Sequence, residues 1–245
     1  MKRLLWICAS LVLIGAGCYR TAAPLPGPVS PSYETTTVES EDEQAIVLIE
    51  IPIIAGISDP QDSVINQHIY DLLTGSRDSF LESMEEPGEE DVKNSFTVAQ
   101  EVMMLNQNVV SIRFAFTTYN TGAAHPSSWT DTFTYDVARA QEFEIDDMFD
   151  PDTGYRVDLW RFMQTELATR AERDALPELA EEIMGRALPD PDYFKPFTIT
   201  QTHIQFYFDP YEIGPYAWGS QRVDVPWDAF RELLGDNTEV RKVIE

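Results

Sequence analysis

NVVSIRFAFTTYNTGAAHPSSWTDTFTYD, residues 108–136, decides how the rest of the chain is read. Val110, Ile112, Phe114 and Phe116 alternate with small or polar neighbours, and Trp129, Phe133, Tyr135 and Val137 keep the same period further on. A period of two puts successive side chains on opposite faces of a strand, so each run offers one apolar face to a core. Gly122 and Pro126 punctuate the connection and mark a loop. Just upstream, Phe96, Val98, Val102 and Met104 alternate as well, and Asn106-Gln107-Asn108 supplies turn chemistry, which predicts a hairpin. The centre of the chain is therefore read as an antiparallel sheet.

Flanking segments extend that sheet and add helices. AIVLIEIPII (45–54) reads as a strand, with Pro52 marking an edge or bulge because proline cannot donate to a ladder. Asp62 or Ser63 is placed to cap a helix in which Ile65, Ile69, Leu72, Phe80 and Met84 keep helical spacing across Gly75. EEPGEED (85–91) reads as a solvated turn. EFEI (142–145) is read as a strand returning from a turn at Arg139-Ala140. Trp160, Met163 and Leu167 share one face of a further helix, and PELAEEIMGR begins another with Pro177 in its first turn. FTIT (197–200), HIQFYF (203–208) and QRVDV (221–225) read as strands, and a short helix from Trp227 closes the chain. Two blocks of strands separated by helices predict the α+β class: a mainly antiparallel sheet with helices packed on it, in one domain over residues 45–245.

The N-terminal residues speak to location. Lys2 and Arg3 precede an apolar run from Leu4 to Ile14, then Gly15-Ala16-Gly17 and Cys18. Basic, apolar and small-residue regions in that order form an export signal over residues 1–17, and the apolar run is too short to span a bilayer. A cysteine directly after the small residues resembles a bacterial lipobox, although Gly15 stands where leucine is usual. The expectation is a lipoprotein lipidated at Cys18, anchored in a membrane and facing the periplasm or cell exterior. Cys8 would leave with the signal, so no intrachain disulfide is available to the exported domain. Residues 18–44 hold Pro24, Pro26, Pro28 and Pro31, many Ser and Thr, and an acidic end, and are expected to form a disordered tether.

Charge narrows the partners. The chain carries 17 Lys and Arg against 42 Asp and Glu, a formal net charge of −25, and losing the signal would make it more negative. Such a field disfavours nucleic acid and anionic lipid surfaces and favours basic proteins, though it also serves solubility.

Two stretches carry candidate chemistry. TGAAHPSSWTD (121–131) places His125 in a loop between strands, as a base, a ligand or a hydrogen-bonded loop residue. FYFDPYEIGPYAWG (206–219) reads as a core strand that stops at Asp209-Pro210 and runs into an aromatic loop with Gly214 and Gly219 at its bends. Asp209 and Glu212 offer charge there, and Tyr211, Tyr216 and Trp218 offer contact area, since Tyr and Trp join an apolar body to a polar tip. Three-residue spacing in an irregular loop does not set the carboxylate separation that a glycosidase requires. DPDTG (150–154) starts like a calcium loop but has glycine at its fifth position and no glutamate at its twelfth, so a turn or helix cap is expected. His68, His125 and His203 lie in different elements without ligand spacing, and no metal or cofactor is expected. Phosphate-loop, dinucleotide and nucleophile-elbow motifs are missing from the sequence.

The order EIPII (50–54), INQHI (65–69), the 108–136 segment, FEIDDMFDP (143–151) and IQFYFDPYEIGPYAWGSQRVDVP (204–226) resembles a bacterial envelope family. That family includes the ectodomain of the anti-sigma factor RsiV and the non-catalytic region of the peptidoglycan deacetylase PdaC. Where it typically has Gly-Gly-Ala-His-Gly, this chain has Gly122-Ala123-Ala124-His125-Pro126. The resemblance implies an α+β domain without established catalysis, and a partner that is either a basic protein such as lysozyme or peptidoglycan. Contacts are then expected at His125, Asp209, Tyr211, Glu212, Tyr216 and Trp218. The rival expectations are a peptidoglycan-directed hydrolase or deacetylase using His125 with Asp209 or Glu212, and a structural lipoprotein of envelope maintenance.

Overall fold

The computed structural model describes residues 30–84, 92–188, 194–235 and 241. The export signal, Cys18 and the turn at 85–91 lie outside these residues. The first elements are β1 (Ser32–Glu41), β2 (Ala45–Ala55), α1 (Asp59–Ser83), β3 (Asn94–Leu105), β4 (Val109–Tyr119), β5 (Ser127–Asp136) and β6 (Gln141–Glu142). The six strands form one sheet in sequence order. Four of its five pairings are antiparallel, while β2 and β3 run parallel from Ala45–Asn94 to Ile49–Val98. A parallel pair needs a crossover, and α1 supplies it.

Part of the expected tether is strand. Residues 32–41 pair along their whole length with β2, from Ser32–Ala55 to Glu41–Ile46. The domain therefore starts before residue 45. The segment lacks an apolar alternation because it is an edge strand exposed on both faces except at Val38. Such an edge is held by backbone ladder bonds, and its β-branched run Thr35, Thr36, Thr37 and Val38 suits the extended chain. Pro52 of β2 faces Thr35 of β1 and lies beyond the last β3 pair, where its missing N–H breaks no second ladder.

Helix α1 begins earlier than expected, with Ser58 at its N-cap. Asp62 instead accepts hydrogen bonds from the Gly56 and Ile57 N–H groups, both at 3.0 Å, which fastens the helix to the end of β2. Ile65, Ile69, Leu73 and Phe80 form its buried stripe; Leu73, rather than Leu72, completes it. They pack with Val47, Ile49, Phe96, Val98, Ile112, Phe114, Phe116, Phe133 and Tyr135 in one core.

The second half comprises α2 (Ile145–Met148), α3 (Tyr155–Arg173), α4 (Pro177–Gly185), the antiparallel sheet β7 (Phe197–Ile199), β8 (His203–Phe208) and β9 (Gln221–Pro226), and α5 (Trp227–Phe230). Of the expected EFEI strand only Glu142, with Gln141 before it, pairs with β5; Ile145 already starts α2, whose first turn is closed by a reciprocal cap between Glu144 and Asp147. Asp150 caps a 3-10 turn by accepting from the Asp152 N–H at 2.9 Å, the cap role expected of DPDTG. Trp160, Met163 and Leu167 of α3 meet Phe206, Phe208, Val223 and Val225 of the small sheet in a second core. The other face of β8 is buried too, with Gln205 and Tyr207 at 7% and 5% exposure, because the two sheets face each other there.

Their junction is polar. Ser111 of β4 and Thr134 of β5 share a hydroxyl hydrogen bond of 2.9 Å. Thr134 donates to the Phe197 carbonyl at 3.2 Å, and the Ile199 N–H donates to Ser111 Oγ at 2.9 Å. The short strand β7 is thus docked on the large sheet by hydroxyls that satisfy its backbone. Among the described residues no helix is long and apolar enough to cross a membrane.

Candidate functional site

Two loops build the site. The first connects β4 to β5 and is fixed at its base by Asn94, which is 1% exposed and accepts the Thr121 N–H at 2.8 Å. Gly122 turns the chain with a left-handed φ of 85°, and the Ala123 N–H closes the turn on the Asn120 carbonyl at 2.9 Å. His125 is presented beyond this turn and is exposed. Its Nδ1 lies 2.9 Å from the Pro126 carbonyl oxygen. A carbonyl only accepts, so Nδ1 is the donor in this contact.

The second loop follows β8. Proline ends the ladder, and residues 209–212 close on themselves: the Glu212 N–H donates to the Asp209 carbonyl at 3.1 Å and the Asp209 N–H to Glu212 Oε2 at 2.5 Å. Tyr211, at the tip, has φ 76° and is 67% exposed. A left-handed tyrosine costs about 1–3 kcal/mol and persists only where its surroundings impose it. Those surroundings are identifiable. Ile213 is buried at 1%, and Arg186 donates to the Glu212 and Ile213 carbonyls at 2.8 and 3.1 Å. Gly214 is required by packing, since a Cβ there would lie 2.6 Å from Trp218 Cε3.

The loops meet through aromatic rings. His125 stacks on Tyr216 with centroids 3.9 Å apart, and Tyr216 lies 5.6 Å from Tyr211. The Tyr216 hydroxyl donates to the Pro126 carbonyl at 3.0 Å, joining one loop to the other. Asp209 lies behind this ledge and accepts the Thr130 N–H of β5 at 2.9 Å. Burial first, and the neighbouring Glu212 carboxylate second, push its carboxyl up to about 6. Glu212 is raised by burial and held down by the Asp209 N–H.

Five of the six residues expected at the site are thus in one place, and Trp218 is not. Its indole N–H donates to Asp174 Oδ2 at 3.0 Å, and its ring packs against the second core beside Leu179. Its role is to seat the loop on α3 and α4. His125 does not form an acid–base pair with Asp209 or Glu212: its contacts are Pro126 and Tyr216, and the carboxylates turn toward Thr130 and their own loop. Asn94, Thr130, Asp174 and Arg186, which position the loops, carry no local sequence signal because each acts across long separations, 79 residues for Thr130 and Asp209.

Comparison with known proteins agrees with this architecture. Residues 146–228 match the family described as protein of unknown function DUF3298. That span contains the 209–219 loop but not the His125 loop. An esterase of Mycobacterium tuberculosis is 27% identical over 176 residues, covering 71% of this chain and 75% of that protein. The peptidoglycan-N-acetylmuramic acid deacetylase PdaC of Bacillus subtilis is 28% identical over 142 residues, 58% of this chain but only 30% of the deacetylase, so the similarity spans under a third of that enzyme. A solved DUF3298 member from Bacteroides fragilis superposes with a TM-score of 0.65 at 15% identity, over 88% of this chain and 98% of that one. Residues 146–228 thus match the DUF3298 family model, and the fold of the chain is the one that a solved DUF3298 protein adopts.

Proposed function

We propose that this chain is an envelope protein, lipidated at Cys18, that binds peptidoglycan through the ledge formed by Tyr211, Tyr216 and His125. The observation that carries the reading is the exposed, strained Tyr211 held beside a stacked Tyr216–His125 pair by two separately anchored loops. Aromatic faces suit the apolar faces of sugar rings, while Glu212 at the rim can accept hydrogen bonds from hydroxyls. The similarity to a peptidoglycan deacetylase supports the choice of ligand. The net charge of −25 favours a second reading, capture of a basic protein such as lysozyme, and salt separates the two.

One experiment tests both. The chain fractionates with membranes, and the Cys18→Ala form, expected in the soluble fraction, is mixed with purified peptidoglycan sacculi at low and physiological salt. Co-sedimentation persists at physiological salt and falls about tenfold when Tyr211 and Tyr216 are both replaced by alanine, a loss of ~1.4 kcal/mol. Sacculus binding that ignores the double replacement sinks the ledge. Lysozyme binding one-to-one at physiological salt, without sacculus binding, moves the assignment to a basic protein. A Cys18→Ala chain that stays with membranes rules out the lipid anchor.

A further inference from the structure

Beside the ledge, and sharing Thr130 with it, a cavity of about 350 Å³ opens between the two sheets. It is lined by Arg113 of β4, Thr130 of β5, Arg170 of α3, Tyr207 of β8, and Arg222 and Asp224 of β9. Three guanidinium groups therefore converge against one lining carboxylate, in a chain whose acidic residues outnumber its basic ones by 42 to 17. With so many carboxylates available, arginines left without a close one need a physical account.

The pairing is uneven. Arg222 is neutralised, with Asp224 oxygens 3.0 and 3.2 Å away. Arg170 has no carboxylate partner among the described residues; its Nη1 donates to Gln221 Oε1 and to the Arg222 carbonyl, each at 3.0 Å. Those neutral acceptors fix the plane of its guanidinium and leave its charge uncompensated. Arg113 is packed over the Tyr207 ring, 5.2 Å from its centroid, and its closest carboxylate is Glu101 at 3.8 Å. Its Nε is buried with no hydrogen-bond partner. The Arg113 side chain is 29% exposed, so the unmatched buried donor is its Nε and not the whole guanidinium; an unmatched buried donor is costly and calls for a functional account.

We propose that this cavity binds a carboxylate, held by Arg113 and Arg170 with the face of the site formed by Tyr207. Planar forks match a carboxylate in two-point contact. Uncompensated charge sits on Arg170, and Arg113 is only partly offset by Glu101 at 3.8 Å, which suits a monoanion better than a phosphate dianion. The volume, at the small end of the ~300–1,000 Å³ of ligand sites, admits a peptide terminus rather than a bare ion. The carboxyl end of a peptidoglycan stem and the C-terminus of a protein present the same group, and chirality tells them apart. The proposal does not depend on the sugar reading of the ledge.

The full chain is titrated calorimetrically with N-acetyl-D-alanyl-D-alanine, its L,L isomer, the C-terminal amides of both, and inorganic phosphate. At least one of the two acids binds one-to-one, and its amide binds at least tenfold more weakly. A preference for the D,D acid assigns the group to peptidoglycan, and for the L,L acid to a protein terminus. Arg170→Gln lowers acid affinity at least tenfold, while Arg170→Lys, which keeps the charge and loses the fork, falls between. The comparison of acid with amide is made on the unsubstituted chain, so a variant that misfolds does not decide the matter. Acid and amide binding alike, phosphate displacing the acid at equal or lower concentration, or no saturable heat up to about 10 mM, well above the ~1 mM of weak specific binding, each overturns the proposal. Sacculus binding through Tyr211 and Tyr216 would be untouched by that result.

Discussion

Strands β4 and β5 have two faces that the same alternation creates and the rest of the chain uses differently. One presents Ile112, Phe114, Phe116, Phe133 and Tyr135 to α1, every one of them at most 2% exposed. The other presents Ser111, Arg113, Thr130 and Thr134 to the small sheet. The first face is stabilised by area removed from water and tolerates hydrophobic exchange of similar volume. The second is stabilised by matched donors and acceptors at Ser111, Thr130 and Thr134, so it is sensitive to the loss of one atom, while the Arg113 Nε on the same face stays unmatched. A fold that needed only stability would have closed both faces with apolar groups. The polar face leaves a cavity between the sheets, lined by Arg113 and Thr130.

Three substitutions probe the contrast. Phe114→Ala on the apolar face should cost about 3–5 kcal/mol in denaturant unfolding, the cost of a cavity at a site with 0% exposure. A cost under ~1 kcal/mol would mean that this face is not the principal core. Ser111→Ala on the polar face removes far fewer atoms yet should cost about 1–3 kcal/mol, because the Ile199 N–H loses its acceptor. Combined with Thr134→Ala it should cost less than the sum of the two, since they share a hydrogen bond. Strict additivity would show that β7 is docked by other means.

The smallest effect concerns Asp209. Its carboxyl, raised from 3.8 to about 6, keeps its proton in the folded state over a range where the unfolded chain has lost it. The native state then binds more protons, so stability present below pH 3.8 falls as pH rises toward 6. Asp209→Asn keeps an acceptor for Thr130 N–H and removes this titration. It should be more stable than the unsubstituted chain at pH 7 by about 1 kcal/mol after allowance for solvent screening, and indistinguishable from it near pH 3. A variant less stable at pH 7 would show that the ionised carboxylate is favoured in place.

Periodicity made much of this molecule legible. The strands from β2 to β5, the α3 stripe, the Pro177 helix start and β7 to β9 follow from apolar spacing and from proline chemistry, both of which act within a few residues. The edge strand β1 was illegible for the same reason, having no buried face to imprint a pattern. The short helix α2 in place of the expected EFEI strand follows from the reciprocal Glu144–Asp147 cap.

At the site the division is sharper. The sequence by itself marked two loops punctuated by glycine and proline, and set His125 on one and Asp209, Tyr211, Glu212, Tyr216 and Trp218 on the other. Only the tertiary structure decided that Tyr216 would stack on His125, that Trp218 would turn away to Asp174, and that Arg113 and Arg170 would converge on one cavity. The residues in each of those contacts lie on different elements, and their distance in space depends on how the two sheets dock. Local spacing encodes which face a side chain takes; packing chooses what it meets there.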